Sequence, residues 1–132
     1  MQHEIDGMTA QGVICLRVLA ETDEEEATAS SEFTFTAPGV EGYVIGRSDA
    51  GSSYVPDVDL APYNAQRYGI SRRHAAIVQN AGIVHVIDLG SMNGTFVNHK
   101  RLSPQIPVPL KEGDHLSLAN LPLEITKLSQ SE

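Results

Sequence analysis

The chain has 132 residues, enough for one compact domain with its own core and too few for two ordinary ones. Its net charge of −8, from 17 acidic against 9 basic residues, excludes a general nucleic-acid binder, which needs an excess of Lys and Arg spread over a face. The single cysteine, Cys15, excludes an internal disulfide and a cysteine-based zinc site.

Residues 1–11 are polar and read as a flexible N-terminal tail. The first apolar stretch, 13–20, is interrupted by Arg17 and follows Glu4 and Asp6, which fits neither a signal peptide nor a membrane span, so a cytoplasmic protein with no membrane partner is expected. Short runs rich in Val, Ile, Leu, Thr and Phe then predict strands at 13–19, 32–36, 43–47, 58–60, 75–79, 83–89, 95–97, 100–102, 108–110, 115–118 and 123–128. Cys15, inside the first of them, reads as a small buried apolar residue. No window sustains the i, i+3, i+4 apolar stripe of a helix. The connections Asn80-Ala81-Gly82 and Lys111-Glu112-Gly113-Asp114 carry the turn-forming residues that tight antiparallel returns need.

Two segments break this rhythm. The acidic 21–31 reads as a flexible hairpin loop, and 61–70 as an ordered excursion, because it carries Tyr63, Arg67 and Tyr68. The pattern predicts an all-β fold, a two-sheet β-sandwich of about eleven mostly antiparallel strands. It forms a single domain over 12–128, with 129–132 as a C-terminal tail.

Three runs at loops between predicted strands stand out: Gly46-Arg47, then Ser71-Arg72-Arg73-His74, then Gly90-Ser91-Met92-Asn93-Gly94-Thr95. Five of the nine basic residues (Arg47, Arg72, Arg73, Lys100 and Arg101) lie in or beside them, while acids gather elsewhere, as in Asp23-Glu24-Glu25-Glu26. With screening over about 8 Å at physiological salt, a small cationic pocket persists on an acidic body.

A protein-bound phosphomonoester carries roughly −1.5 to −2 charge and three acceptor oxygens, so its receptor needs a bidentate cation and neutral donors at other angles. Arg47, Ser71 and Arg72 supply that mixture. Gly46 lets the backbone bend so that Arg47 turns toward the site. Asn93-Gly94 is a turn signal, and an exposed Asn93 offers both a donor and an acceptor to the backbone of an extended peptide.

These residues, in this order and spacing, resemble the forkhead-associated (FHA) domain, a phosphothreonine-peptide recognition module with an FHA/SMAD-like sandwich. The family pattern of Gly-Arg, Ser-x-x-His and Asn-Gly-Thr is met by Gly46-Arg47, Ser71 to His74 and Asn93-Gly94-Thr95, and the similarity runs from about Tyr43 to Leu118. The resemblance implies that Arg47 and Ser71 contact phosphate, Arg72 assists and Asn93 holds the ligand backbone. It also implies that His74 braces the loop from inside, and that Gly94 and Thr95 shape the turn. Phosphothreonine is expected over phosphoserine, because the family packs the threonine methyl against the pocket wall.

Two positions depart from the pattern. Met92 stands where many members have a small hydroxyl residue that touches phosphate, so that contact is expected to be lost or made by the backbone. His99 stands where Gly is frequent, so Asn98-His99 is expected to carry positive φ at some cost. Arg73 reads as plain surface, and Lys100 and Arg101 as long-range attraction worth little in salt.

Rival chemistries fail on particulars. Ser71, His74 and Asp88 are the residue types of a hydrolase triad, but no Gly-x-Ser-x-Gly elbow frames the serine. The 90–95 run lacks the Lys of a nucleotide-binding loop, and the five histidines form no local ligand pair, so neither an enzyme, a cofactor nor a metal is expected. The leading expectation is a non-catalytic adaptor for phosphothreonine-containing proteins in Ser/Thr kinase signalling. The alternative is a phospho-independent interaction or self-association module using a sheet face. A third, weaker idea is self-recognition through a phosphorylated Thr9 or Thr22.

Overall fold

Alternation decides which face of each strand is buried. In Ile83-Val84-His85-Val86-Ile87-Asp88, the residues Val84, Val86 and Asp88 are buried and their neighbours are more exposed. The computed structural model of the chain describes residues 13–19, 32–36 and 42–129. The expected N-terminal tail, the 21–31 loop, and with them Thr9 and Thr22, lie outside the described residues.

Among the described residues there are eleven strands. In chain order they are β1 (Val13–Val18), β2 (Glu32–Thr36), β3 (Tyr43–Gly46), β4 (Val58–Asp59), β5 (Arg73–Asn80) and β6 (Ile83–Asp88), followed by β7 (Thr95–Val97), β8 (Lys100–Arg101), β9 (Val108–Pro109), β10 (His115–Leu118) and β11 (Leu121–Ser129). They form a six-stranded sheet in the order β2-β1-β11-β10-β7-β8 and a five-stranded sheet in the order β4-β3-β5-β6-β9. The one parallel pair is β3 with β4, where Ile45 faces Val58 and Gly46 faces Asp59. This is the expected all-β sandwich.

The inner faces meet in one apolar core. Ile14, Leu16, Leu116, Leu118, Leu123 and Ile125 come from the larger sheet, and Ile45, Ile77, Val84 and Val86 from the smaller, all fully buried. Each such side chain contributes about 1.5–3 kcal/mol, so the sheets are a rigid support and the loops at their ends are free to carry recognition. Edges are managed by composition: β9, at the rim of the smaller sheet, includes Pro109.

Several local features differ from the sequence expectation. The 61–70 excursion is ordered but helical, with a 3-10 turn at Ala61–Tyr63 and a single helix, α1 (Ala65–Tyr68). Four residues are too few for a periodic pattern to register. The helix holds because Ala65 is buried and left-handed Gly69 ends it, the Gly69 and Ile70 N–H groups returning to the Gln66 and Ala65 carbonyls. The Tyr63 ring meets Phe33 of β2 edge-on, with centroids 5.7 Å apart.

Cys15 is not a core residue. Ile14, Leu16 and Val18 take the inner face of β1, so Cys15 lies on the outer one, half-buried, with Sγ 3.5 Å from Thr34 Oγ1. The Asn98-His99 turn has φ of 50° and 73°, the positive values expected of a two-residue hairpin return. The Asn98 side chain eases that conformation by donating to Asp114 and accepting from the His115 N–H. Among the described residues no helix is long and apolar enough to cross a membrane.

Candidate functional site

The site begins at an irregularity in the pairing of β3 with β5. Ile45 pairs with Ala75, but Gly46 pairs with Arg73, so His74 is the extra residue of a β-bulge. The bulge shifts the phase of β5, and His74, Ala75, Ala76 and Ile77 are all buried in succession. It also drives the chain at Gly46 against the 71–72 backbone. A Cβ on Gly46 would stand 1.8 Å from the Arg72 carbonyl oxygen, so only glycine fits. The next residue, Arg47, donates its backbone N–H to that same oxygen at 3.2 Å.

His74 joins two loops from inside. The Ser71 N–H donates to its Nδ1 at 3.0 Å, which assigns the ring proton to Nε2, and Nε2 donates to the Gly94 carbonyl at 2.8 Å. Burial holds this imidazole below the ordinary histidine range, only partly offset by the Gly94 bond and the negative charge of Asp88, so it stands neutral. Both ring nitrogens are thus engaged with backbone, and this imidazole is not free to serve Ser71 as a general base.

A second hub is Asp88, the last residue of β6 and 2% exposed. Its Oδ2 accepts from the backbone N–H of Gly90 and Ser91, and its Oδ1 accepts from Ser91 Oγ and Thr95 Oγ1, both at 2.6 Å. Burial pushes this carboxyl up, but the four donors outweigh it and hold it below the usual range. Ser91 Oγ in turn accepts from the Gly94 N–H, closing the 90–94 loop on itself. On the other side of the site Asp59 does the same for the 47–61 region. It accepts from Ser48 N–H, Ser48 Oγ and Ala61 N–H, and these donors hold it low against the opposing effect of burial.

Upon this frame the candidate residues are placed around one short segment, 69–72. Arg47 Nε donates to the Ile70 carbonyl at 2.6 Å, and Asn93 Nδ2 donates to the Gly69 carbonyl at 2.9 Å. The Met92 N–H donates to Ser71 Oγ at 3.2 Å, which leaves the hydroxyl proton of Ser71 free to turn outward. Arg72 is exposed, Met92 is exposed, and Arg73 points away from the core as a surface residue. Gly94 and Thr95 are buried in the turn, where a Cβ on Gly94 would meet Arg101 Nε at 2.8 Å. Arg101 itself packs over the Phe96 ring.

Two shallow depressions flank the segment. One, of about 350 Å³, is lined by Tyr54, Ser71, Arg72 and Arg73. The other, of about 450 Å³, runs from Arg47 and Ser48 to α1, where Asn64, Gln66 and Arg67 line it. Between them stands Asp49, whose carboxylate pairs with Arg47 Nη1 and lies 3.9 Å from Arg72 Nε. Among the described residues no group of three or more His, Cys, Asp or Glu is placed to hold a metal ion.

Three of these participants escape a reading of the sequence, and a fourth, Asp88, figures there only as a residue type of a rejected triad. Asp88 has a legible signal, since an Asp followed at two and three residues by Gly and Ser is an Asx-turn pattern. Asp49, Asp59 and Gly69 have none, because Arg72, Ser48 and Asn93, which meet them, come from other parts of the chain.

The FHA domain family model matches residues 43–119. A curated homolog of a protein phosphatase 1 regulatory inhibitor subunit, from Arabidopsis thaliana, is 49% identical over 51 residues, 38% of this chain and 14% of that protein. The matched curated proteins are covered over only 13% to 36% of their own length, so what they share with this chain is one module of longer proteins. Among solved structures, the FHA domain of a Chlamydia trachomatis protein superposes with a TM-score of 0.60 at 27% identity, covering 87% of this chain and 97% of that one. A domain from a study of phosphothreonine-dependent FHA domain interactions has the same fold, with a TM-score of 0.59 at 23% identity, covering 87% of this chain and 96% of that one.

Proposed function

Because the chain belongs to the FHA domain family of phosphopeptide-binding modules, we propose that it binds phosphothreonine-containing proteins as a non-catalytic adaptor in Ser/Thr kinase signalling. Arg47, Ser71 and Arg72 hold the phosphate in this reading, and Asn93 holds the peptide backbone. The observation that carries it is the attachment of Arg47 and Asn93, from two other parts of the sequence, to the four-residue segment 69–72 that contains Ser71 and Arg72. Arg47 brings a planar fork, Ser71 a free hydroxyl proton, and Asn93 an acceptor oxygen and its second amide proton, the first being given to the Gly69 carbonyl.

The charge distribution supports the same reading. On a body of net charge −8 loose polyanions are repelled, and only an anion that reaches the arginines at close range gains. The family's use of the threonine methyl makes phosphothreonine the favoured ligand over phosphoserine. A titration with matched phosphorylated and unmodified peptides tests the proposal. Binding of the phosphorylated form alone is expected, and equal binding of both would end it.

A second reading, a phospho-independent or self-association surface, is favoured by one feature. A largely apolar depression of about 330 Å³ beside β8 and β9 is lined by Val97, Leu102, Ile106 and Val108, with Lys100 and Arg101 also at its wall and Ile106 54% exposed. A stable dimer by light scattering, unaffected by Arg47→Ala, would favour it.

A further inference from the structure

The place where Arg47 and Arg72 converge already contains an anion. Asp49 Oδ1 accepts from Arg47 Nη1, and Asp49 Oδ2 lies 3.9 Å from Arg72 Nε, so one carboxylate is shared by two guanidinium groups. Arg47 does not need Asp49 in order to be aimed. Its Nε edge is held separately by the Ile70 carbonyl, and its side chain is 18% exposed. Nor is the 47–52 loop built on the Asp49 side chain, because the backbone carbonyl of Asp49 makes the turn by accepting from the Ser52 N–H. The Asp49 side chain is 34% exposed and can swing into water without moving its backbone.

We propose that Asp49 is a specificity-determining counter-ion, which occupies the arginine pair in the free protein and makes the site accept a phosphate dianion while refusing carboxylates. The inference rests on the phosphopeptide reading above and deepens it. A peptide Asp or Glu arriving at the arginines exchanges one carboxylate for another of equal charge. It must also compete with a group tethered two residues away, whose effective concentration is on the order of millimolar or higher. Nothing is gained by that exchange. A phosphomonoester brings roughly −1.5 to −2 charge and three acceptor oxygens, so it engages both guanidinium groups and the Ser71 hydroxyl more strongly than Asp49 can. The site therefore discriminates phosphothreonine from acidic side chains by charge number, at the cost of some affinity for phosphothreonine itself.

The test compares the parent, D49N, D49S and R47A against three degenerate peptide pools that differ only at a fixed central residue: phosphothreonine, threonine or glutamate. D49N keeps the size of the side chain and removes its charge, and D49S provides a second uncharged variant should the first fold poorly. Thermal unfolding checks all four. We expect the parent to bind the phosphothreonine pool alone, D49N to bind it about three- to tenfold more tightly, and the preference over the glutamate pool to narrow. Binding that appears only in the uncharged variants supports the proposal equally. If the parent binds the phosphothreonine pool through Arg47, but D49N and D49S leave the affinity and the preference unchanged or weaken them, Asp49 is not a filter and the phosphopeptide reading survives. If no variant prefers the phosphothreonine pool to the threonine pool, both fall.

Discussion

His74 Nε2 and the Gly94 carbonyl oxygen are 2.8 Å apart, a bond between β5 and the turn that enters β7, made by a neutral ring buried to 0% exposure. Through its other nitrogen the same ring holds Ser71, so one imidazole sets the spacing of two loops that carry candidate ligand contacts. The β-bulge is what turns this side chain inward.

The neutrality of His74 has a consequence for stability. Its pKa in the folded protein is depressed below 6.5, so the unfolded chain takes up the proton more readily. The penalty is absent above pH 6.5 and grows as pH falls below it, by up to about 1.4 kcal/mol per pH unit until the folded ring itself titrates. His74→Asn, which keeps an acceptor for the Ser71 N–H, is expected to be less stable at pH 7.5 and to lose less on acidification from 6.5 to 5. Urea unfolding at both pH values measures this, and parallel losses in parent and variant would remove the assignment.

Asp88 satisfies four donors, and Asp88→Ala removes the acceptor from all of them, the Thr95 hydroxyl being the one that is fully buried. The expected destabilisation is about 2–3 kcal/mol by urea unfolding, most of it from the buried Thr95 hydroxyl and the lost charged acceptor, while Thr95→Val, which removes one donor and keeps the shape, costs about 1 kcal/mol. Because donors hold the Asp88 carboxyl low, its contribution is present above pH 3.8 and is lost as pH falls further through its folded pKa. This acid limb is separate from that of His74.

Gly46 and Gly51 make a matched pair. A Cβ on Gly46 would meet the Arg72 carbonyl at 1.8 Å, whereas one on Gly51 meets nothing within 4 Å. Gly46→Ala must push the two backbones apart, so it is expected to cost about 3 kcal/mol or more and to abolish phosphopeptide binding. Gly51→Ala is expected to be neutral or to stabilise by up to about 1 kcal/mol, by restricting the unfolded chain. Denaturation midpoints of the two variants decide it.

For binding, Arg47→Ala is expected to lose a charge-assisted contact worth on the order of 1.5 to 3 kcal/mol in phosphopeptide affinity. Affinity of the parent should also fall below about pH 6, where the phosphate gains its second proton. Isothermal titration at pH 7.5 and 5.5 reads both, and an Arg47→Ala variant with parental affinity would contradict the role given to this residue.

The strands were legible because alternation and turn residues are local properties. Asn98-His99 announced a positive-φ return, and Thr95–Val97 was bounded by Gly94 and Asn98 at its ends. The same alternation places Cys15 outside the core: it shares a face of β1 with Arg17, and Ile14, Leu16 and Val18 take the interior on the other face. The helical turn at Ala65–Tyr68 was invisible because a single turn has no period.

Order and residue type along the chain are enough to determine an all-β sandwich with a Gly-Arg, a Ser-x-x-His and an Asn-Gly-Thr at its loops, since strand alternation and turn chemistry depend on near neighbours alone. Only the tertiary structure decided that His74 sits in a bulge, that Asn93 leans on Gly69, and that Asp49 stands between Arg47 and Arg72. Those contacts depend on how separate loops are brought together by the packing of two sheets, and no local pattern encodes the distance between groups that meet only when the core has formed.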